Sequence, residues 1–432
     1  MSDQLINFEY HIPTKIYFGP NEFVHLGEEV ALYGKTVLVT YGGGSIKKIG
    51  LYDAVMDQLR EHGMTVIEMG GIEPNPRIES VRKGADLCKE HNVDVVLAVG
   101  GGSTIDCSKF ICAAALTDED SWTWFVHGGS SIKRALPLVT VLTLAATGSE
   151  MDNGGVITNL STNEKLGSGS PLLLPRASFL NPENTYTVSA FQTAAGSADI
   201  MSHTMEVYFT QEQDLYFLDT FMEGLLRTVI KYAPLAIAEP AHYEARANLM
   251  WASTWAINGF TKGGKLHDWS VHPIEHELSG YYDITHGLGL AILTPQWLRF
   301  VLAKDPEHTV EKITQFARSV FLVDGAGKSE LEIAHEGIDA LERFFVKDLG
   351  LAPDLSSLDI NDEHFKTMAK HALKGKDCLH GFIDLNAADI EEIYRMSVDR
   401  KSEFLTDKLV GALSHDMDAR TIRKERIKRY ER

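Results

Sequence analysis

The stretch VDVVLAVGGGSTIDCSKFICAAAL, residues 93–116, passes from a β-branched apolar run through three glycines into a helical pattern. Residues 93–99 read as a strand buried on both faces, since such strands lose the polar alternation of a half-exposed one. Gly100, Gly101, Gly102 and Ser103 read as a turn, and residues 104 to about 116 as the helix it opens. A doubly buried strand needs helices on both sides of its sheet, so similar strand–helix units are expected around it.

Upstream, residues 36–40 (TVLVT) read as a strand, Gly42, Gly43 and Gly44 as a turn, and residues 45–62 as a helix. Residues 64–69 give another strand and residues 77–91 another helix, with Val81, Ala85, Leu87 and Cys88 along one side. Residues 137–144 are a further strand. From about Ser189 a 3.6-residue period takes over, in residues 195–209, 215–233, 244–260, 286–301, 310–320, 328–347 and 362–372. The expected architecture is an α/β domain with a Rossmann-like parallel sheet over residues 1–188 and an all-α domain over residues 189–432. A cleft should lie between them.

The chain has 432 residues, 44% hydrophobic and 23% charged, the balance of a folded protein with room for two domains. A net charge of −19 argues against a nucleic-acid surface and against anionic membranes. Residues 1–13 lack a basic start followed by an apolar run, and no apolar stretch could span a bilayer, so a cytoplasmic protein is expected. Residues 420–432 mix Arg and Lys with a few acids and read as a solvated helix end. Cys88, Cys107, Cys112 and Cys378 form no CxxC pair and read as reduced core thiols.

Both glycine turns follow a strand and open a helix, where free N–H groups and the positive helix end favour phosphate oxygens. Neither is GxGxxG, so the ordinary dinucleotide fingerprint is absent. In YGGGSIKK, residues 41–48, small residues with Lys47 and Lys48 stand where an acid would hold a ribose 2′-hydroxyl. That composition favours NADP(H) over NAD(H).

A second constellation suits a metal. Asp199 and His203 are four apart in a helical segment, His272 and His276 form another such pair, and His286 follows. A carboxylate with imidazoles fits one divalent ion, Fe2+ or Zn2+, with a position left for a substrate oxygen.

GGGSxxD at residues 100–106, TxxxTGSE at 143–150, AxxxDxxxHxxE at 195–206, and HPIEHELSG with DITHGLGLAIL at 272–293 together resemble the iron-containing (group III) alcohol dehydrogenases. YGGGSIKKIG and GGIEPNP (residues 70–76) are similar to their NADPH-dependent butanol dehydrogenase and aldehyde reductase branch. The resemblance implies a dinucleotide-binding α/β domain, a helical metal-binding and catalytic domain, and a homodimer. It implies that Asp199, His203, His272 and His286 ligate the metal and that His276 sits beside the nicotinamide as a proton relay. By the same resemblance Gly42, Gly43, Gly44 and Ser45 line the adenosine phosphate, and Gly101, Gly102 and Ser103 the pyrophosphate. Asp106, Thr143, Thr147 and Lys165 are further implied cofactor contacts. The family pattern there resembles PTTAGTGSE, from which TLAATGSE departs.

The implied reaction passes a hydride between NADP(H) and a small primary alcohol or aldehyde, with a metal polarising the substrate oxygen. Trp251, Trp255, Phe260 and Trp269 are candidate walls of an apolar substrate cleft. Two enzymes of the same architecture compete: a polyol (glycerol-type) dehydrogenase and a dehydroquinate-synthase-like lyase. The lyase would need basic residues at the metal, and Arg227, Lys231, Arg246, Lys262 and Lys265 show no such aim in the sequence. A redox sensor without turnover would leave the complete ligand set and His276 without a purpose.

Overall fold

A computed structural model describes residues 7–211, 215–265 and 269–399. Its first part carries strands β1 (Lys15–Phe18), β2 (Thr36–Tyr41), β3 (Thr65–Met69), β4 (Val95–Gly100), β5 (Leu138–Leu142), β6 (Gly154–Asn159), β7 (Glu164–Gly169) and β8 (Ala177–Leu180). Between them lie helices α1 (Leu26–Ala31), α2 (Ser45–Lys48), α3 (Leu51–Glu61), α4 (Ile78–His91), α5 (Gly102–Ala114) and α6 (Thr123–Val126). Six strands form one parallel sheet in the order β1-β8-β5-β4-β2-β3, and β6 and β7 pair as an antiparallel hairpin packed against α5 and α6.

Alternation along the strands sends successive side chains to opposite faces. In β4, Val96 and Ala98 join one core with Val81, Ile105 and Phe110, while Val95, Leu97 and Val99 join another with Leu26, Val55 and Leu59. Both faces are therefore covered, as the unbroken apolar run requires. The chain runs from β2 to β3 on one side and then to β4 on the other, so the topology reverses between β2 and β4, where Tyr41 pairs with Val99. Open α/β sheets bind ligands outside the carboxyl ends of strands at such a reversal. Both glycine turns stand there.

The expected helix over residues 45–62 is two helices, because Gly50 adopts a left-handed φ of 76° between α2 and α3. Strands β1 and β8 and the β6–β7 hairpin are additions to the sequence reading.

The second part is helical: α7 (Ala190–Tyr208), α8 (Tyr216–Ala238), α9 (Tyr243–Ile257), α10 (Val271–Tyr282), α11 (His286–Lys304), α12 (Pro306–Val320), α13 (Glu330–Arg343), α14 (Phe365–Ala372) and α15 (Ala387–Met396). Two-residue strands β9 (Leu379–His380) and β10 (Asp384–Leu385) pair between α14 and α15. Ser189 caps α7 by accepting the Gln192 N–H on its side chain. From Thr193 to Tyr208 every residue of α7 is buried, which makes it the central helix of its domain. Among the described residues no helix is long and apolar enough to cross a membrane. Cys88, Cys107 and Cys112 are buried and unpaired, but Cys378 is only half-buried, beside β9 rather than in a core. The helix end expected at residues 420–432 lies outside the described residues.

Candidate active site and metal centre

Three helices bring the expected ligands together. Helix α7 carries Asp199, His203 and Glu206 at successive turns, α10 carries His272, Glu275 and His276, and α11 begins at His286. Glycine makes their approach possible. A Cβ on Gly287 would stand 2.0 Å from the Ala195 carbonyl oxygen, so α11 meets α7 this closely only without a side chain.

Asp199 Oδ1 lies 3.6 Å from His203 Nε2, 3.9 Å from His272 Nε2 and 3.7 Å from His286 Nε2. Asp199 Oδ1 and His272 Nε2 are buried without a hydrogen-bond partner. Ligand atoms of Asp199, His272 and His286 all fall within 4.8 Å of one another, while His203 stands outside this tightest trio. The other ring nitrogens are held from behind. His272 Nδ1 is 3.0 Å from Glu206 Oε1, and His286 Nδ1 is hydrogen-bonded to Glu275 Oε2. Glu206 also accepts the backbone N–H groups of Ser270 and His272, at 2.8 Å each. Carboxylates on the far nitrogen fix ring orientation and leave Nε2 free to bind a cation. Leaving buried polar atoms unpartnered costs about 1–3 kcal/mol each, and a divalent ion on these N and O donors would satisfy them. The residues present fit a metal.

Charge is arranged to match. Burial alone would raise the Asp199 carboxyl, but the surrounding imidazoles, His203 first, hold it well below the carboxylate range. Burial pushes His203 down to about 3. For His272 burial opposes the proton, yet the neighbouring Asp199 and Glu206 carboxylates hold the ring up at about 9. His276 is driven well down by burial and then by Lys165 and His286, so its ring is neutral, with Nδ1 buried and unpartnered.

These rings open onto a cavity of about 490 Å3 that both domains line. Ser103, Asp106, Thr147 and Lys165 face it together with His203, His272, His276 and His286. Gly42, Gly43, Gly44, Ser45, Gly101, Gly102 and Thr143 are not in its wall. They lie along the sheet edge instead: a Cβ on Gly42 would come 3.7 Å from Thr104 Oγ1, which brings the first glycine turn against the start of α5. Gly102 lets α5 start against Thr147, whose Oγ1 an added Cβ would approach to 2.3 Å. The Asp106 carboxylate accepts Ser149 Oγ at 2.5 Å and Val156 N at 2.8 Å, and burial raises it to about 6. It thereby ties α5 to β6 at the cavity wall. Lys165 Nζ sits 3.9 Å from Glu275 Oε2, joining β7 to α10.

Two expectations need correction. Of the four aromatic candidates, Trp269 alone lines the cavity. Trp251, Trp255 and Phe260 pack with Phe18 and Phe221 in an edge-to-face cluster elsewhere. Of the five basic residues, Lys262 does face the cavity. The other four bond elsewhere: Arg227 to Ser319, Lys231 to Tyr232, Arg246 to Thr193, and Lys265 to Asp219. Glu206 and Glu275 are site residues that the sequence reading left without a role. Each follows a ligand histidine by three positions, which puts it on the same helix face.

The iron-containing alcohol dehydrogenase family matches residues 13–182, and the C-terminal part of the Fe-containing alcohol dehydrogenase family matches residues 193–398. NADH-dependent butanol dehydrogenase B of Clostridium acetobutylicum is 48% identical over 395 residues, covering 91% of this chain and 100% of that one. The NADPH-dependent aldehyde reductase YqhD of Escherichia coli is 39% identical over 368 residues, covering 84% and 92% respectively. The crystal structure of NADH-dependent butanol dehydrogenase A from Thermotoga maritima superposes with a TM-score of 0.85 at 37% identity, over 91% of this chain and 99% of that one. With both halves matched, the chain belongs to the iron-containing alcohol dehydrogenase family.

Proposed function

We propose that the protein reduces short aldehydes, and in reverse oxidises primary alcohols, using a nicotinamide cofactor and one divalent ion, Fe2+ or Zn2+. Asp199, His203, His272 and His286 are the proposed ligands. The observation that carries this reading is the buried, unpartnered Asp199 Oδ1 facing three imidazole nitrogens on a cavity that Ser103 and Thr147 also enter. When bound, the metal supplies Lewis acidity at the substrate oxygen and the nicotinamide supplies or takes the hydride.

The chain's own residues do the rest. Glu206 and Glu275 hold the histidine rings in register. Neutral His276, which lines the same cavity, takes the hydroxyl proton in oxidation and returns it in reduction. Gly42, Gly43, Gly44 and Ser45 receive the adenosine phosphate, Gly101, Gly102 and Ser103 the pyrophosphate, and Asp106, Thr143, Thr147 and Lys165 complete the cofactor's surroundings. The working division between the domains is 188/189, just before the α7 cap, and the working assembly is a cytoplasmic homodimer.

NADP(H) is the preferred cofactor in this reading. Four relatives at 44–48% identity are named for NADH, two of them as probable, and those named for NADPH or NADP are 39% and 32% identical, so similarity does not support this preference. The support is local: Lys47 Nζ lies over the Tyr52 and Tyr41 rings at 4.4 and 5.2 Å, next to the first glycine turn. The nearby Glu68 carboxylate, on β3, is occupied by the Tyr41 and Tyr52 hydroxyls.

The test is oxidation of NADPH and NADH by metal-loaded protein with butanal and other aldehydes, against a chelator-treated control. Chelator-sensitive turnover supports the reading; bound metal and cofactor without turnover of any aldehyde would end it. His276→Ala should lower turnover while metal content stays at one per chain, and unchanged turnover would remove the relay.

A further inference from the structure

The cavity wall holds a positive charge that makes no hydrogen bond or ion pair with an oxygen among the described residues. Lys262 is half-buried on the metal side of the cavity, beside Ile257 and Trp269. Its Nζ lies 5.2 Å from the centre of the Trp269 ring, and that ring's edge-to-face neighbours are His203 and His272. One indole therefore separates the ammonium from the ligand cluster. The ammonium has no hydrogen bond or ion pair among the described residues, and burial lowers its affinity for the proton.

The wall's carboxylates are already committed. Asp152 is hydrogen-bonded by the fully buried Lys109, and Asp106 by Ser149 and Val156. Lys165 stands near Glu275, and Lys374, also in the wall, opposes Glu277. Lys262 is left over, and Asp152, the carboxylate whose charge acts on it, is already shared with Lys109. A shielded cation with no hydrogen-bonded acceptor among the described residues is a poor neighbour for an alkyl chain and a good one for an anion. The phosphates of a dinucleotide have their own places at the glycine turns, on the sheet side of the cavity.

We propose that Lys262 anchors the far end of an anionic substrate, so that the cavity takes short aldehydes carrying a carboxylate, the ω-oxo acids, in preference to plain alkanals. This rests on the aldehyde reductase reading above. The carbonyl end points to the histidine cluster, the carboxylate accepts hydrogen bonds from Lys262 Nζ, and Trp269 covers the carbon chain between. A charge-assisted contact in a shielded site is worth roughly ten- to a hundredfold in affinity.

The experiment compares 4-oxobutanoate with butanal in turnover, and 4-hydroxybutanoate with butan-1-ol in calorimetric binding to metal- and cofactor-loaded protein. The expected result is a kcat/KM ratio of about tenfold or more for the oxo acid, carried by KM, with a matching preference in binding. Lys262→Met should collapse both ratios, and Lys262→Arg should keep most of each. Equal use and equal binding of charged and uncharged partners, or ratios that survive in Lys262→Met, would overturn the anchor. The binding arm reads the anchor even without turnover, whereas absence of turnover with every aldehyde counts against the reductase reading alone. If Lys262→Met fails to fold, the wild-type ratios and their decline with added salt decide the matter.

Discussion

His272 Nδ1 lies 3.0 Å from Glu206 Oε1, linking a proposed ligand on α10 to a carboxylate on α7 that is itself two turns from Asp199. The bond fixes which nitrogen faces the cluster, and it sets the proton inventory of the site. In metal-free protein the His272 ring is held up at about 9, above its ordinary 6.5. A raised pKa means the pairing stabilises fully below 6.5 and is lost as pH rises through about 9. The melting temperature of metal-free protein should therefore fall across that window, and Glu206→Gln should flatten the fall. A ligand imidazole must be neutral, so metal binding near neutral pH should release about one proton per chain. Calorimetry in buffers of different ionisation enthalpy measures that proton.

Glu275 supports His286 as Glu206 supports His272. Glu275→Gln keeps the shape but weakens the acceptor, and metal affinity should drop about 10–100-fold. Competition with a chromophoric chelator gives the number. An unchanged affinity would mean that the ring orients itself.

Lys109 is fully buried, with Nζ bonded to Asp152 and, at 2.7 Å, to the Gly154 carbonyl. Lys109→Met would leave Asp152 in the cavity wall without its hydrogen-bonded cation, facing only the more distant charge of Lys262. The expected loss is about 3–5 kcal/mol of stability, read by denaturant unfolding. The same variant with Asp152→Asn should recover much of it, because the charge and its partner leave together.

Lys47 and Lys48 follow the glycine turn proposed to receive the adenosine phosphate. Replacing both with Ala should lower the NADPH-to-NADH ratio of kcat/KM about tenfold, chiefly through KM for NADPH. A ratio that does not move would assign cofactor choice to other residues.

Much of this molecule is legible in its sequence, for identifiable reasons. The β4 run is buried on both faces and so shows no alternation, and the glycines after β2 and β4 announce their turns. The histidine pairs show one helix face at a time. Other parts leave weaker traces. Strands β1 and β8 have four residues each, too few to display a period. Strands β6 and β7 contain Gly154, Gly155, Gly167 and Gly169, and glycine erases the β-branched signal. Helix α10 hides for a functional reason: His272, Glu275 and Glu277 are buried where its period calls for apolar residues. Glu206 and Glu275 read as ordinary helix acids until folding places them behind the histidines. Lys262 has no signal at all, since only the tertiary fold turns it toward the cavity.

The most direct test of the account is metal content set beside aldehyde turnover in Asp199→Asn. Asp199 Oδ1 lies within 3.9 Å of all three proposed imidazole ligands. The account predicts that the folded variant binds NADPH, retains far less than one metal per chain and loses aldehyde-dependent NADPH oxidation. Full activity in a variant that no longer holds the metal would contradict it.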